Sequence, residues 1–416
     1  MSIKTNRYGT FKSDMVVIGI DVAKRRHVAA VRLPDGRISK PFGFQNNRKG
    51  FEQLVCRVEA ALTASGASAA RFALEATGHY GHALQHYLLE AGWPVYGVNP
   101  AHTKKVKEVL DGSPVKSDRK DSIVIADLAA QGRCFPVSAP TGVYAELRRL
   151  GKLREQLSCE RTRYLNRYVG LVDLVFPELA GLVYNINCPT IRNLFLEFPS
   201  ASEIARRQFR RVRRLLYTWS IGHFDEAHCR AIHEAAKHSV GVKEGPKAVS
   251  LQMRLTLLSL DTVEANIAEV EVAQAAALKE ISYAKHLLTI PEVSTVTLAT
   301  VLGETGDLRR FQSANALIKL AGLNLFSLSS GKFCGRTRIS KRGRPLLRRI
   351  LYLAALRLSK EGRPLKEFHD RLAERLAKPQ VAVACSRKLL RLMHAMVRDQ
   401  VDYQPGMLAV SVQEAA

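Results

Sequence analysis

The chain has 416 residues, 63 Lys or Arg against 38 Asp or Glu, and a formal net charge of +25. That excess, within an ordinary globular composition of 46% hydrophobic and 24% charged residues, points to a polyanionic partner, most often nucleic acid. The length leaves room for two or three domains, and seven scattered cysteines without a CxxC pair exclude zinc-finger spacing and a disulfide framework.

In chain order, MVVIGIDVAK (15–24) is an apolar run broken by Asp21 and predicts a buried strand. HVAAVRLPDGRI (27–38) predicts a second strand, with Pro34-Asp35-Gly36 as its turn, and KPFGF (40–44) a third extended piece. Residues 46–62 have helical periodicity, and RFALEATG (71–78) is another apolar strand interrupted by Glu75. A helix over roughly 80–91 and a strand at PVYGVNP (94–100) follow. Three strands and then alternating helices and strands is the order of an α/β, RNase H-like fold, in which acids at strand ends meet at one edge of the sheet.

Unpaired charge is costly inside an apolar run, so Asp21 and Glu75 are expected to have a cation to hold. In KSDRKDSIVIADLA (116–129), Asp118 and Asp121 are three residues apart and share one helix face. Singly, Asp118 reads as a helix cap and Asp121 as a first-turn acid. With Asp21 and Glu75 they make four hard carboxylate donors, a ligand set for Mg²⁺. Asp111 and Asp127 read as solvated helix or turn acids.

From 143 the period changes. Val143, Leu147, Leu150, Leu157, Tyr164, Tyr168, Leu171 and Val175 form a heptad-like stripe, with Arg154 and Arg161 at its skipped positions. Leu260, Val263, Ile267, Val270, Ala277 and Ile281 repeat the spacing, with Gln274 as the polar member. The two segments predict an antiparallel coiled coil; such a stripe is more often intramolecular core than partner surface, and its two arginines leave a subunit or nucleic-acid role open. Between them, 176–245 reads as a helical insertion, and RRQFRRVRR (206–214) as a solvated helix face or, beside the net charge of +25, a phosphate-binding run.

LLTIPEVSTVTLATVLGETG (287–306) predicts a helix end, a tight turn at Pro291–Ser294 and a second helix, a helix-hairpin-helix-like element with Glu292 and Ser294 where glycines are usual. Helices follow at 311–323 and 344–359, the latter carrying Arg348, Arg349 and Arg357. Between them lies LSSGKFCGRTRISKRG (328–343). Here Ser329 and Ser330 precede a glycine, and Lys332, Arg336, Arg338, Lys341, Arg342 and then Arg344 follow. Taken alone, the stretch reads either as a basic turn that grips phosphate or as a loop whose serine attacks it.

IGIDVAK, LEATGHY, NPAHTKKVK, KSDRKD, IPEVSTVTLATVLGE, KLAGL and SSGKFCGRTRISKRGRPLLRRILYLAAL, in this order, closely resemble the insertion sequence 110 family of transposases over roughly residues 15–400. These are DEDD-type, bridge-RNA-guided serine recombinases. The resemblance implies a RuvC-like domain over 1–142, a coiled-coil and helical insertion over 143–285, and a mainly helical C-terminal transposase domain over 286–416. The family acids match Asp21, Glu75, Asp118 and Asp121, and the catalytic serine matches Ser330, with the doubled serine bringing Ser329 into play. It further implies Mg²⁺, donor and target DNA, a structured noncoding guide RNA, and a homo-oligomer, dimer or tetramer, in which one subunit's acids face another's serine. The alternative is an RNase H-like, metal-dependent nuclease or junction resolvase that uses the four acids without a covalent intermediate. A non-enzymatic nucleic-acid scaffold is a third. No signal-like leader or membrane-length apolar run is evident, so no membrane partner and a cytoplasmic, nucleoid-associated location are expected.

Overall fold

A computed structural model describes residues 14–75, 78–111, 118–137, 140–327, 329–330, 333–335 and 337–408. The chain divides into two compact units, 1–139 and 140–416.

The first unit runs β1 (Met15–Asp21), β2 (Arg26–Arg32), β3 (Phe42–Gln45), α1 (Arg48–Ser65), β4 (Ala69–Glu75), α2 (His82–Glu90), β5 (Val95–Val98), α3 (Pro100–Asp111), α4 (Asp118–Ala130) and β6 (Cys134–Pro136). Its six-stranded sheet has the order β3-β2-β1-β4-β5-β6. The meander β1–β2–β3 is antiparallel, β4 and β5 join parallel to β1, and β6 closes the far edge antiparallel. This is the predicted three-strand opening followed by crossover units.

Strand alternation explains why β1 is apolar throughout. Val16, Ile18 and Ile20 pack with Phe51, Leu54 and Val58 of α1 and Leu84 and Leu88 of α2. Val17, with Ala73 of β4, faces the other way, onto Val124, Ile125 and Leu128 of α4. A strand covered on both faces needs apolar residues at every position. Asp21 therefore ends it.

The second unit is mainly helical. α5 (Gly142–Val175) and α10 (Pro246–Lys279) are its arms, 34 residues each and roughly 50 Å long. Between them lie α6 (Pro189–Glu197), α7 (Ala201–Ala205), α8 (Phe209–Trp219) and α9 (Glu226–Lys237). After them come α11 (Ala284–Leu287), α12 (Thr295–Thr305) and α13 (Ala314–Leu320). Next are the two-residue strands β7 (Leu325–Phe326), β8 (Ser329–Ser330), β9 (Phe333–Cys334) and β10 (Arg338–Ile339), then α14 (Pro345–Leu358), α15 (Lys366–Ala373) and α16 (Lys378–Asp399).

The arms are antiparallel, as predicted: Arg154 pairs with Glu271 at 2.6 Å and Arg161 with Glu264 at 2.7 Å, seven residues forward on one helix matching seven back on the other. Leu157, Val263 and Val270 pack between these pairs. The two arginines thus pair inside the arm, in line with an intramolecular core. Gln274 is fully buried.

The insertion has its own core around Tyr168, Phe176, Phe195 and Ile232, and the C-terminal helices another around Leu298, Leu302, Leu351, Leu389 and Met393. The helix-hairpin-helix-like element differs from its expected form. Its first helix is only the four-residue α11, and residues 288–294 form an extended turn around Pro291. Glu292 takes a left-handed φ of 62°, its carboxylate 2.9 Å from Arg363.

Glu264 lies between Arg161 and Arg192, the latter donating at 2.7 and 3.0 Å. The Arg192 hydrogen bonds, opposed by burial and helped by Arg161, hold its carboxyl below the usual range. A depressed folded-state pKa contributes stability above the unfolded value, which is lost as pH falls through the folded one. Glu264→Gln is expected to cost about 1–2 kcal/mol in urea melts at pH 7. The gap from the parent should close as pH drops below about 4.

Candidate active site

The acids are positioned first by register. β1 and β4 are parallel with Ile20 opposite Leu74, so the next residues, Asp21 and Glu75, end adjacent strands at the same edge of the sheet. By alternation both share the parity of Gly19 and Ala73, the face covered by α4. Each is half-buried where its apolar strand runs out.

α4 is laid unusually close to that face. A Cβ at Gly19 would stand 2.2 Å from the Ser122 carbonyl oxygen and 2.3 Å from the Ala126 nitrogen. The helix backbone touches the strand two residues before Asp21. Asp121, the neighbour of Ser122, is buried at 4% exposure. Asp118 is the first residue of α4, one turn earlier, and its side chain lies outside the described residues. Gly19 was not singled out in the sequence; its signal was a glycine inside an otherwise bulky strand, which marks close backbone approach.

All four acids offer hard oxygen donors, which is the chemistry of Mg²⁺. Among the described residues, no three His, Cys, Asp or Glu side chains are grouped as a metal cluster. Asp127, read as solvated, is instead partly buried: burial raises its pKa, and Arg32 at 3.5 Å offsets part of that.

Ser330 belongs to the second unit. β8 pairs antiparallel with β9, Ser329 opposite Cys334 and Ser330 opposite Phe333, so Ser330 closes the ladder at a two-residue connection. The side chains of both serines, and residues Lys332 and Arg336, lie outside the described residues. Arg338 sits exposed in β10, opposite Phe326 of β7. Lys341, with φ 53°, and Arg342 are exposed.

These basic residues rest on the end of α13. The Lys341 amide donates to Gly322 O at 3.1 Å and the Arg344 amide to Leu320 O at 2.9 Å. A Cβ at Gly343 would stand 2.4 Å from both Gly322 N and Leu320 O. Arg348 donates to Ala321 O at 3.1 Å and Lys341 O at 3.4 Å, so its guanidinium clamps the loop.

The arginine run around α8 is answered by acids only in part. Glu203 faces Arg206 and Arg207, Glu197 faces Arg211, and Glu226 faces Arg213. Six arginines against three acids leave the run a positive excess.

Two family models match the chain in order. One, described as a transposase of the DEDD-type IS110 kind, covers residues 18–177, and the other, "Transposase IS116/IS110/IS902 family", covers 284–370. An IS116 protein of 44.8 kDa from Streptomyces clavuligerus is 24% identical, over 95% of this chain and 98% of its own length. An IS110 protein of 43.6 kDa from Streptomyces coelicolor is 23% identical over 95% and 96%. The transposase of element IS1111A from Coxiella burnetii is 23% identical over 94% and 92%. Among solved structures, T. thermophilus RuvC in complex with a Holliday junction substrate matches 30% of this chain and 99% of that one, with 21% identity and a TM-score of 0.22. By these matches the chain is of the transposase class. Within that class it belongs to the IS110/IS116 family. Among the described residues, no helix is long and apolar enough to cross a membrane.

Gly19→Ala is expected to destabilise the protein by about 1–3 kcal/mol, because its methyl group meets helix backbone rather than a movable side chain. Gly170→Ala, exposed in α5 with no atom near its Cβ, is expected to be neutral or stabilising by up to about 1 kcal/mol. Thermal and urea melts of the two variants check the contrast.

Proposed function

We propose that the chain is an RNA-guided DNA transposase that cuts and rejoins strands through a covalent serine–DNA intermediate. The observation that carries this reading is the coincidence of chemistry with both family-matched regions. In the first, Asp21 and Glu75 end adjacent parallel strands beside the helix that carries Asp118 and Asp121. In the second, Ser330 closes a small hairpin followed by exposed cations.

In this mechanism the Ser330 hydroxyl oxygen attacks the scissile phosphorus and the bond from phosphorus to the 3′ oxygen breaks. The phosphate becomes joined to serine, the strand departs with a free 3′ hydroxyl, and the proton lost by Ser330 ends on that hydroxyl. Attack of a 3′ hydroxyl on the phosphoserine reverses the exchange, so rejoining needs no external energy. A serine hydroxyl is a weak nucleophile near neutral pH, so the surrounding charge matters. Lys332, Arg336, Arg338, Lys341 and Arg342 neutralise the crowded phosphate, and Arg348 holds their loop. Asp21, Glu75, Asp118 and Asp121 would hold Mg²⁺, which when bound supplies Lewis-acid stabilisation of phosphoryl charge. The proposed partners are donor and target DNA, a structured noncoding guide RNA, and further copies of this chain in a dimer or tetramer that completes the site. The proposed domains are 1–142, 143–285 and 286–416.

The test is incubation with cognate DNA, guide RNA and Mg²⁺, followed by denaturing electrophoresis. The parent protein and Ser329→Ala are expected to give a protein–DNA adduct, and Ser330→Ala none. Cleavage that persists in Ser330→Ala without any adduct identifies a hydrolytic nuclease and overturns the covalent mechanism. Asp21→Asn is expected to abolish both cleavage and adduct.

A further inference from the structure

Where α5, α12 and the start of α14 come together, three cations surround one buried carboxylate. Glu304, on α12, is 6% exposed, and its carboxylate accepts from Arg344 at 3.3 Å. Gly303 beside it lies against the backbone of α5: an added Cβ would stand 2.7 Å from Arg148 N and 2.8 Å from Leu147 O. That close approach brings Arg148, and Lys152 one turn on, up to the same carboxylate.

Three cations against one carboxylate leave a formal excess of two positive charges. The group is held against its own repulsion. Burial first, then Arg344, lowers the Arg148 pKa, and burial first, then Arg148, lowers that of Lys152. The Nε of Arg148 is buried without a hydrogen-bond partner. Neighbouring cations of the same unit differ in each having an acid: Arg154 has Glu271, Arg161 has Glu264 and Arg349 has Glu155. A half-buried cationic cluster sharing one acid is the arrangement that a bound anion relieves.

We propose that Arg148, Lys152 and Arg344 form a phosphate site that takes a phosphodiester of a bound nucleic-acid strand, with Glu304 keeping Arg344 in place before the strand arrives. The proposal rests on the nucleic-acid reading above and assigns contacts outside the serine loop. The competing account is a purely structural network that ties the three helices together.

The full-length protein is titrated by fluorescence anisotropy with labelled duplex DNA and, separately, labelled single-stranded RNA, from about 50 to about 300 mM salt. Lys152 is exposed, so Lys152→Gln leaves the fold intact. It is expected to reduce the slope of log affinity against log salt by about 0.9 on duplex DNA or about 0.7 on single-stranded RNA. Near 0.15 M salt that corresponds to about fivefold weaker binding. The probe on which the slope falls identifies which strand supplies the phosphate. Lys378→Gln, an exposed lysine at the start of α16, controls for the loss of one charge and should leave the slope unchanged. The double variant Arg344→Gln/Glu304→Gln removes both members of the ion pair at unchanged net charge, and a comparable loss of slope is expected. Parental slopes for Lys152→Gln and the double variant on both probes overturn the site and leave nucleic-acid binding standing. Failure of the parent protein to bind either probe overturns the nucleic-acid reading together with the site.

Discussion

The arrangement of the acids depends on one contact, the backbone of α4 against Gly19 of β1. With no Cβ at that position, the Ser122 carbonyl and the Ala126 amide reach the strand surface directly. The helix then lies on the sheet face that Asp21 and Glu75 share by strand parity. Any larger residue displaces α4 from β1, and with it both Asp118 and Asp121. For the proposed Mg²⁺ site, ligand distances near 2.0–2.1 Å would make a displacement of even about 1 Å enough to separate a helix-borne carboxylate from strand-borne ones. The glycine is thus a positional requirement of the proposed site.

Charge is distributed unevenly in the second unit, and the placement of its acids decides where the excess is felt. In the arms and insertion, Glu264, Glu271, Glu197, Glu203 and Glu226 stand against arginines. Around β10 and the start of α14 the balance differs. Residues 328–349 carry eight Lys or Arg and no Asp or Glu, a local excess that attracts phosphate.

The elements legible in the sequence were those whose physics is local. An acid breaking an apolar run located the ends of β1 and β4, and heptad spacing located α5 and α10. Partners far apart in the chain were not legible. Arg154 and Arg161 find Glu271 and Glu264 117 and 103 residues away, so locally they read as free cations. Asp127 read as solvated because Arg32 reaches it from another element. The strands β6 to β10 have two or three residues each, too few to show a period of two. Of the candidate site, the identities of the acids and the serine were legible, but the close approach that aligns α4 was visible only as one glycine in IGID.

The serine hairpin has little stability of its own, since β8 and β9 exchange two residue pairs and an isolated two-stranded ribbon is marginal in water. What steadies the surrounding chain lies outside it. β10 returns to β7, Lys341 and Arg344 bond to the end of α13, and Gly343 passes so close to Gly322 that neither position tolerates a side chain. Arg348 then ties Ala321 to Lys341 across this junction. The KLAGL and KRGRP segments, some twenty residues apart, are therefore two halves of one anchor. The anchor fixes where the loop begins and ends. This division suits the proposed serine nucleophile, which would accept, hold and release a DNA strand: a rigid base sets its position, and a ladder of two residue pairs opens at little cost.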